Sequence, residues 1–368
     1  MTPALHAVLA QAVTVSEGGG FWEIFLEAAI KVVIVFALLL TVTIVLVWME
    51  RKVVADMHNR IGPDRAGPYG ILQTLADGVK LVFKENVTPR RVEFGLYIAA
   101  PVAALVPALL IFLVIPIGPS FTIGDRTIAL SGVDLNIGLL YILALSSLAV
   151  YAVVLAGWSS GSKYPLLGAV RASAQMISYE AAMGLALVPV ILFAGTTSLT
   201  GIVEAQAGSV LGFIGVWNVV LIPSFLIFFI AGVAETNRPP FDLVEAESEI
   251  VGGYHTEYSG FRFALFFLAE YINMFNISAI TVVIFFGGWA GPTFGTPDAI
   301  SWIFPILWFF AKTFFFVFVF IWIRASLPRM RYDQLMAFGW KRLIPVSLVW
   351  IGLATLAVGV RRFGVPWV

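Results

Sequence analysis

The sequence predicts an all-α, polytopic membrane protein with about eight transmembrane helices plus an amphipathic helix on the cytoplasmic side. Three observations predict it. Hydrophobic residue types make up 60% of the 368 residues and charged types only 12%, about half the charged share of a soluble domain. Eight runs are apolar over the roughly 20 residues that a helix needs to cross a bilayer. The basic residues collect in alternate connections between those runs. With no internal repeat and no low-complexity linker, the whole chain, 1–368, reads as a single membrane domain.

The runs lie at about 29–48, 97–117, 138–157, 178–195, 215–234, 263–288, 303–323 and 343–360. Pro107, Pro189, Pro223 and Pro305 fall inside them, which lipid-embedded helices tolerate where neighbours re-satisfy the freed backbone groups. The connections at about 49–96, 158–177, 235–262 and 324–342 carry 17 Lys and Arg residues, against Arg126, Arg361 and Arg362 on the other side. The positive-inside rule places the first set in the cytoplasm and both termini outside. The 235–262 connection is acidic, and its side follows from the parity of the spans. Met1–Gly20 lack the basic start of a cleaved signal peptide, so insertion is expected from the spans themselves.

Composition also excludes chemistry. Twenty-two basic residues balance 22 acidic ones, which gives no footprint for nucleic acid. The absence of cysteine removes disulfides, thiolate zinc and cysteine-ligated iron–sulfur clusters. Three histidines, His6, His58 and His255, are too few for a His-rich metal centre, and no metal site is expected. No G-x-G-x-x-G or Walker A pattern is present, and the one G-x-S-x-G match, Gly157-Trp-Ser-Ser-Gly161, ends an apolar run and is no nucleophile elbow. Any redox carriers would therefore belong to partner proteins.

Three features carry what chemistry there is. Residues 49–85 open with Met-Glu-Arg-Lys, then turn through Arg60-Ile-Gly-Pro-Asp-Arg65-Ala-Gly-Pro. From Tyr69 a helical period sets Ile71, Leu72, Leu75, Val79, Val82 and Phe83 against Gln73, Asp77, Lys80 and Lys84, an interfacial amphipathic helix over 69–85. Such a loop can be a plain positive-inside anchor, but an anchor does not need this turn chemistry.

The second feature is the acidic segment after the fifth run, with Glu235, Asp242, Glu245, Glu247, Glu249 and Glu257 against Arg238 and Arg262. Glu245 and Glu249 share a helical face, so each opposes the ionisation of the other. A solvated acidic loop is the plain alternative, although Phe241, Leu243, Val244, Ile250 and Val251 interrupt it.

The third is charge inside the spans: Glu180, Glu270 and Lys312. Each costs roughly 2.5–3.5 kcal/mol at a helix centre, and intramembrane ionisable groups commonly serve proton or ion paths. Lys312 can also snorkel. Glu180 is read as only about three residues into its run, which leaves snorkelling open for it too. Arg238, Arg262 and Lys312 are read as possible structural ion-pair partners.

At these residues the chain resembles a known family. Glu50-Arg-Lys through Lys80, Glu235-Thr-Asn-Arg-Pro-Pro-Phe-Asp242 through Glu257-Tyr, and Arg324-Ala-Ser-Leu-Pro-Arg-Met-Arg-Tyr-Asp333 through Trp340-Lys341 are similar to the H-type membrane component of bacterial NADH:quinone oxidoreductase, respiratory complex I. The resemblance implies a subunit at the junction of the hydrophilic and membrane arms that forms most of a quinone chamber. It implies Arg51 near the quinone entrance and Asp77 on the chamber lining, with Lys52, Arg60 and Arg65 grouped beside them. It implies a proton path through Glu235, Asp242, Glu245, Glu247, Glu249, Glu270 and Glu180 toward antiporter-like subunits.

The substrate implied is ubiquinone or menaquinone. FMN and iron–sulfur clusters would sit in partner subunits, and the isolated chain would have no activity. The implied site is the bacterial inner membrane. His58 and Asp64 depart from residues frequent in the family, which leaves the fine geometry around Arg60 open. A membrane component of an energy-converting hydrogenase is the near rival and a secondary transporter the distant one. A transporter would be expected to show inverted repeats with broken helices. A pure anchor gains nothing from Glu180, Glu270 and Lys312.

Overall fold

The computed structural model describes residues 21–119, 121–123, 126–128, 130–206, 218, 221–242, 251–292 and 302–363. Among these residues the fold is helical, apart from one antiparallel pair of short strands, β1 (Phe121–Ile123) and β2 (Arg126–Ile128). The helices are α1 (Phe21–Met57), α2 (Gln73–Phe83), α3 (Phe94–Leu113), α4 (Gly138–Ser159), α5 (Lys163–Ala194), α6 (Leu199–Ala205), α7 (Ile222–Glu235), α8 (Gly260–Phe285), α9 (Ile303–Ser326), α10 (Tyr332–Phe338) and α11 (Ile344–Phe363). A π-helical turn, Gly339–Leu343, joins the last two.

Among the described residues seven helical stretches are long and apolar enough to cross a membrane: Ala28–Met57, α3, α4, α5, α8, α9 and the composite Tyr332–Val360. The described part of the run expected at 215–234 is α7, an apolar helix of 14 residues, and 215–217, 219 and 220 lie outside the described residues.

Several boundaries differ from the hydropathy reading. The connection expected at 158–177 is mostly helix, because α5 begins at Lys163. Its first half carries Lys163, Arg171 and Gln175, which lower hydropathy. Its small residues Gly168, Ala169, Ala172 and Ser173 are nonetheless buried against protein. Glu180 therefore lies near the middle of a 32-residue helix, not at its start. Likewise 324–342 is helical from Tyr332 onward, and α1 runs on through Met57. Glu50, Arg51 and Lys52 thus sit on a continued helix. Pro223 and Pro305 fall in the first turns of α7 and α9, where the missing N–H has no helical acceptor to serve. Pro101 and Pro107 lie inside α3 and Pro189 inside α5.

The amphipathic helix is shorter than 69–85. Pro68–Gly70 form a 3₁₀ turn and the α-helix covers Gln73–Phe83. Gly70 has φ +75°, and a Cβ there would sit 2.3 Å from the carbonyl of Pro63. Only glycine closes this turn.

α8 forms the centre. Every side chain from Met274 to Phe285 is buried, as expected of a helix that is apolar all round. α3, α7, α9 and α1 pack around it, and α4 and α5 flank α3 and α7. α1 lies at the periphery and exposes Trp22, Phe25, Leu26, Val32, Val33 and Ile34.

Candidate functional site

The segment that follows α7 places the most charge in the least water. A helix C-terminus leaves carbonyls without intrahelical donors. Buried Gln175 of α5 supplies one, donating its amide to the carbonyls of Ala234 (2.7 Å) and Phe241 (2.8 Å). The turn so fixed carries Glu235, Arg238 and Asp242. On its other side, Met330 N–H donates to the Pro240 carbonyl.

Arg238 projects from this turn into the protein and is 5% exposed. Its Nε lies 2.9 Å from Glu270 of α8, and Nη1 lies 3.5 Å from Glu50 of α1. The guanidinium also rests over the ring of Tyr271, 4.3 Å from its centroid. Arg324, in the last turn of α9, closes on the other Glu50 oxygen. Burial alone would pull the Arg238 guanidinium down. The carboxylates of Glu270 and Glu50 more than offset this and hold it charged, above its usual range. The result is a buried Arg–Glu–Arg–Glu chain tying α1, α9, α8 and the α7 turn together.

On one side of this chain lie two open spaces. A cavity of about 380 Å³ is lined by Glu50, Arg51, Arg60, Gly62, Pro63 and Arg324, among others. A larger, mainly apolar groove of about 590 Å³ runs between α1, α2 and α8. Leu40, Ile44, Val79, Phe267 and Tyr271 are on its walls, with Arg51 and Asp77 as polar groups. Arg51 lines both spaces. Its Nη1 lies 2.6 Å from Asp77, which also meets Lys80 at 3.3 Å and accepts from Gln73. Burial opposes ionisation of Asp77, but Arg51 and Lys80 prevail and hold its carboxyl below the ordinary value. Lys52 turns instead to Asp64 at 3.6 Å. Arg65 is exposed and on neither space.

On the other side is the acidic row. Asp242 is buried, with Arg329 at 3.5 Å. Asp242, Glu270, Glu235 and His255 share a cavity of about 50 Å³. Glu235 also faces a second cavity of about 30 Å³. Glu180 accepts from Ser146 at 3.1 Å and from Ser147. His255 stands in a 3₁₀ turn, Gly253–His255, pressed onto α5, where a Cβ on Gly168 would meet Gly253 Cα at 2.7 Å. Its Nδ1 is hydrogen-bonded with the Gly252 carbonyl, and burial pushes it down to about 4, so it is neutral at pH 7.

Sequence reasoning missed several of these residues. Glu50 and Arg324 stood in the segments that carry the resemblance without a role of their own, and Gln175 and His255 carried no motif. Arg262 was expected as an ion-pair partner. Among the described residues it instead bonds the Thr88 hydroxyl at 2.9 Å and stacks on Tyr97. The Lys312 ammonium caps carbonyls of Phe286, Gly288 and Ala290. Glu245, Glu247 and Glu249 lie outside the described residues.

A family model described as NADH dehydrogenase matches residues 30–355, which include all the helices that build these spaces. The chain belongs to this family. It is 52% identical over 353 residues to the H subunit of NADH-quinone oxidoreductase from Frankia casuarinae, covering 94% of this chain and 76% of that one. It is 53% identical to the corresponding H subunit from Frankia alni, covering 90% and 72%. Against the second H subunit of the NADH-quinone oxidoreductase of Koribacter versatilis the identity is 50%, covering 91% and 98%. The family's likeness thus runs through the groove, the ion-pair chain and the acidic row alike.

Proposed function

We propose that this chain is the membrane subunit of a proton-pumping NADH:quinone oxidoreductase that holds the quinone and passes the effect of its reduction into a row of carboxylates. The observation that carries this reading is the position of Arg238. It stacks on Tyr271, which lines the apolar groove, and pairs with Glu270, which lines the acidic cavity. One guanidinium therefore contacts a wall residue of each compartment.

The groove suits an isoprenoid tail, and Arg51 and Asp77 suit a polar headgroup at its end. Arg60 faces the adjoining cavity, and Lys52 and Arg65 belong to the same cytoplasmic surface, which meets the hydrophilic arm. A unit charge appearing about 8 Å from a carboxylate, at an effective dielectric of about 20, is worth about 2 kcal/mol. That suffices to shift a protonation equilibrium more than tenfold. The proton path then uses Asp242, Glu270, Glu235 and Glu180 of the row, together with Glu245, Glu247 and Glu249, and leads toward antiporter-like partners. FMN and iron–sulfur clusters belong to other subunits, and the isolated chain is inactive. The chain is a single domain of the bacterial inner membrane, with its basic loops in the cytoplasm and both termini outside.

Replacing Arg51 by Ala in the assembled complex tests the quinone assignment. Removing one charged hydrogen-bond donor is worth about 1.5–3 kcal/mol, so kcat/KM for quinone reduction should fall about tenfold or more. NADH oxidation by an artificial acceptor should be unchanged. Unaltered quinone kinetics would overturn the assignment, and equal loss of both activities would mark failed assembly.

A further inference from the structure

Glu270, Asn273 and Asn276 follow one another at three-residue spacing on α8 and so share a face. Asn273 lines both the 50 Å³ cavity and the 30 Å³ cavity, and Asn276 lines only the second. That second space is otherwise walled by apolar side chains such as Ile111, Ile142 and Met183.

Its polar lining is largely committed elsewhere. The Thr236 hydroxyl bonds the carbonyls of Gly232 and Val233. The Ser146 hydroxyl bonds the Leu143 carbonyl and Glu180 and also lies beside the Glu235 carboxyl, whose Oε2 it leaves without a partner. Asn276, 1% exposed, donates Nδ2 to the Ala108 carbonyl of α3 at 2.7 Å, which fixes the orientation of its amide. Two buried oxygens then have no protein partner, Asn276 Oδ1 and Glu235 Oε2. Buried polar atoms of this kind are commonly satisfied by water, and a site of this size and polarity accommodates one.

We propose that Asn276 and Glu235 bind one water molecule between α7 and α8, which makes Asn276 the positioning residue for the Glu235 carboxyl. Water has two hydrogens to donate, and these two oxygens are acceptors. When Glu235 Oε2 carries a proton, the water accepts from it and still donates to Asn276. On the reading that the carboxylates form a proton path, this water extends the row one step deeper along α8 than Glu270 reaches.

The test uses the assembled complex, imaged at a resolution where ordered waters are visible. Wild type should show one density within hydrogen-bond distance of both oxygens. Asn276→Leu, similar in volume but with no acceptor, should lose it. The difference-infrared band of the Glu235 carboxyl group, assigned by its loss in Glu235→Gln, should shift in Asn276→Leu and shift less in Asn276→Ser, which keeps an acceptor. Absence of density in wild type overturns the proposal, as does an unmoved band in Asn276→Leu. If Asn276→Leu does not assemble, the wild-type density decides alone. A Glu235→Gln complex that pumps at the wild-type rate would remove Glu235 from the proton path and leave the water site standing.

Discussion

Glu50 and Arg238 approach to 3.5 Å with both side chains buried, and Arg324 occupies the other oxygen of the same carboxylate. Glu50 thereby bridges two guanidiniums from different parts of the chain, and Glu270 supplies the second negative charge. Removing one partner of a buried pair costs about 3–5 kcal/mol, because the other charge stays behind. Arg324 is a third exposed and can turn to water, which favours the lower end of that range. Glu50→Gln should lower the thermal transition of the purified complex, and Glu50→Asp should lower it less. A wild-type transition in Glu50→Gln would show that Glu50 is not the keystone of this cluster.

Glu235 faces both acidic cavities. Gln keeps its size and hydrogen bonding but removes titration. Glu235→Gln, and likewise Glu245→Gln or Glu249→Gln, should abolish quinone-linked proton pumping while NADH oxidation by artificial acceptors stays normal. Reconstituted vesicles with a pH-sensitive dye measure this. Pumping at the wild-type rate would remove that residue from the path.

His255 sets a pH limit on the loop that bears it. Its ordinary value is 6.5, and burial pushes it down to about 4 in the folded protein. Above about pH 6.5 it is neutral folded and unfolded, and stability does not depend on it. As pH falls from there toward 4 the unfolded chain takes up a proton that the fold resists. Stability is lost by roughly 3 kcal/mol over that window, about 2 of them by pH 5. Thermal denaturation between pH 7.5 and pH 5 should therefore fall more steeply in wild type than in His255→Gln. Parallel pH profiles would refute the assignment.

The chain has no cysteine, so sidedness can be read with single introduced ones. Ser131→Cys should react with an impermeant reagent from outside. Ser248→Cys, outside the described residues, should react only from the cytoplasmic face of inverted vesicles. Reversed labelling would invert the topology.

Most spans were legible because lipid-facing helices are apolar along their length, and a hydropathy window detects that. α5 was cut short because Lys163, Arg171 and Gln175 lower its hydropathy while Gln175 and the small residues around it are buried, and α10 was missed because its Asp333 and Gln334 are exposed. The amphipathic α2 was visible from its period, and its half-exposed Leu75, Val79 and Val82 line the groove. Among the candidate residues, Arg51 and Asp77 could be named through the family resemblance, but their 2.6 Å contact could not. The Glu50–Arg324 bond joins positions 274 apart, and no local pattern announces it. Gln175 and Asn276 were invisible for a simpler reason. Neutral amides carry no charge to stand out, and only the oxygens and carbonyls around them reveal what they do.

Gln175 grips the turn after α7 at both ends, at Ala234 and at Phe241. The residues between are closed into a loop whose clasp belongs to a different helix. Such a loop behaves as a yoke: Glu235, Arg238 and the neighbouring Asp242 ride on α5 as much as on the chain that bears them. If α7 tilts against α5, the three charges swing together rather than one at a time. The ion pairs on one flank and the cavities on the other would then re-register in a single movement, with the amide of Gln175 as its axle.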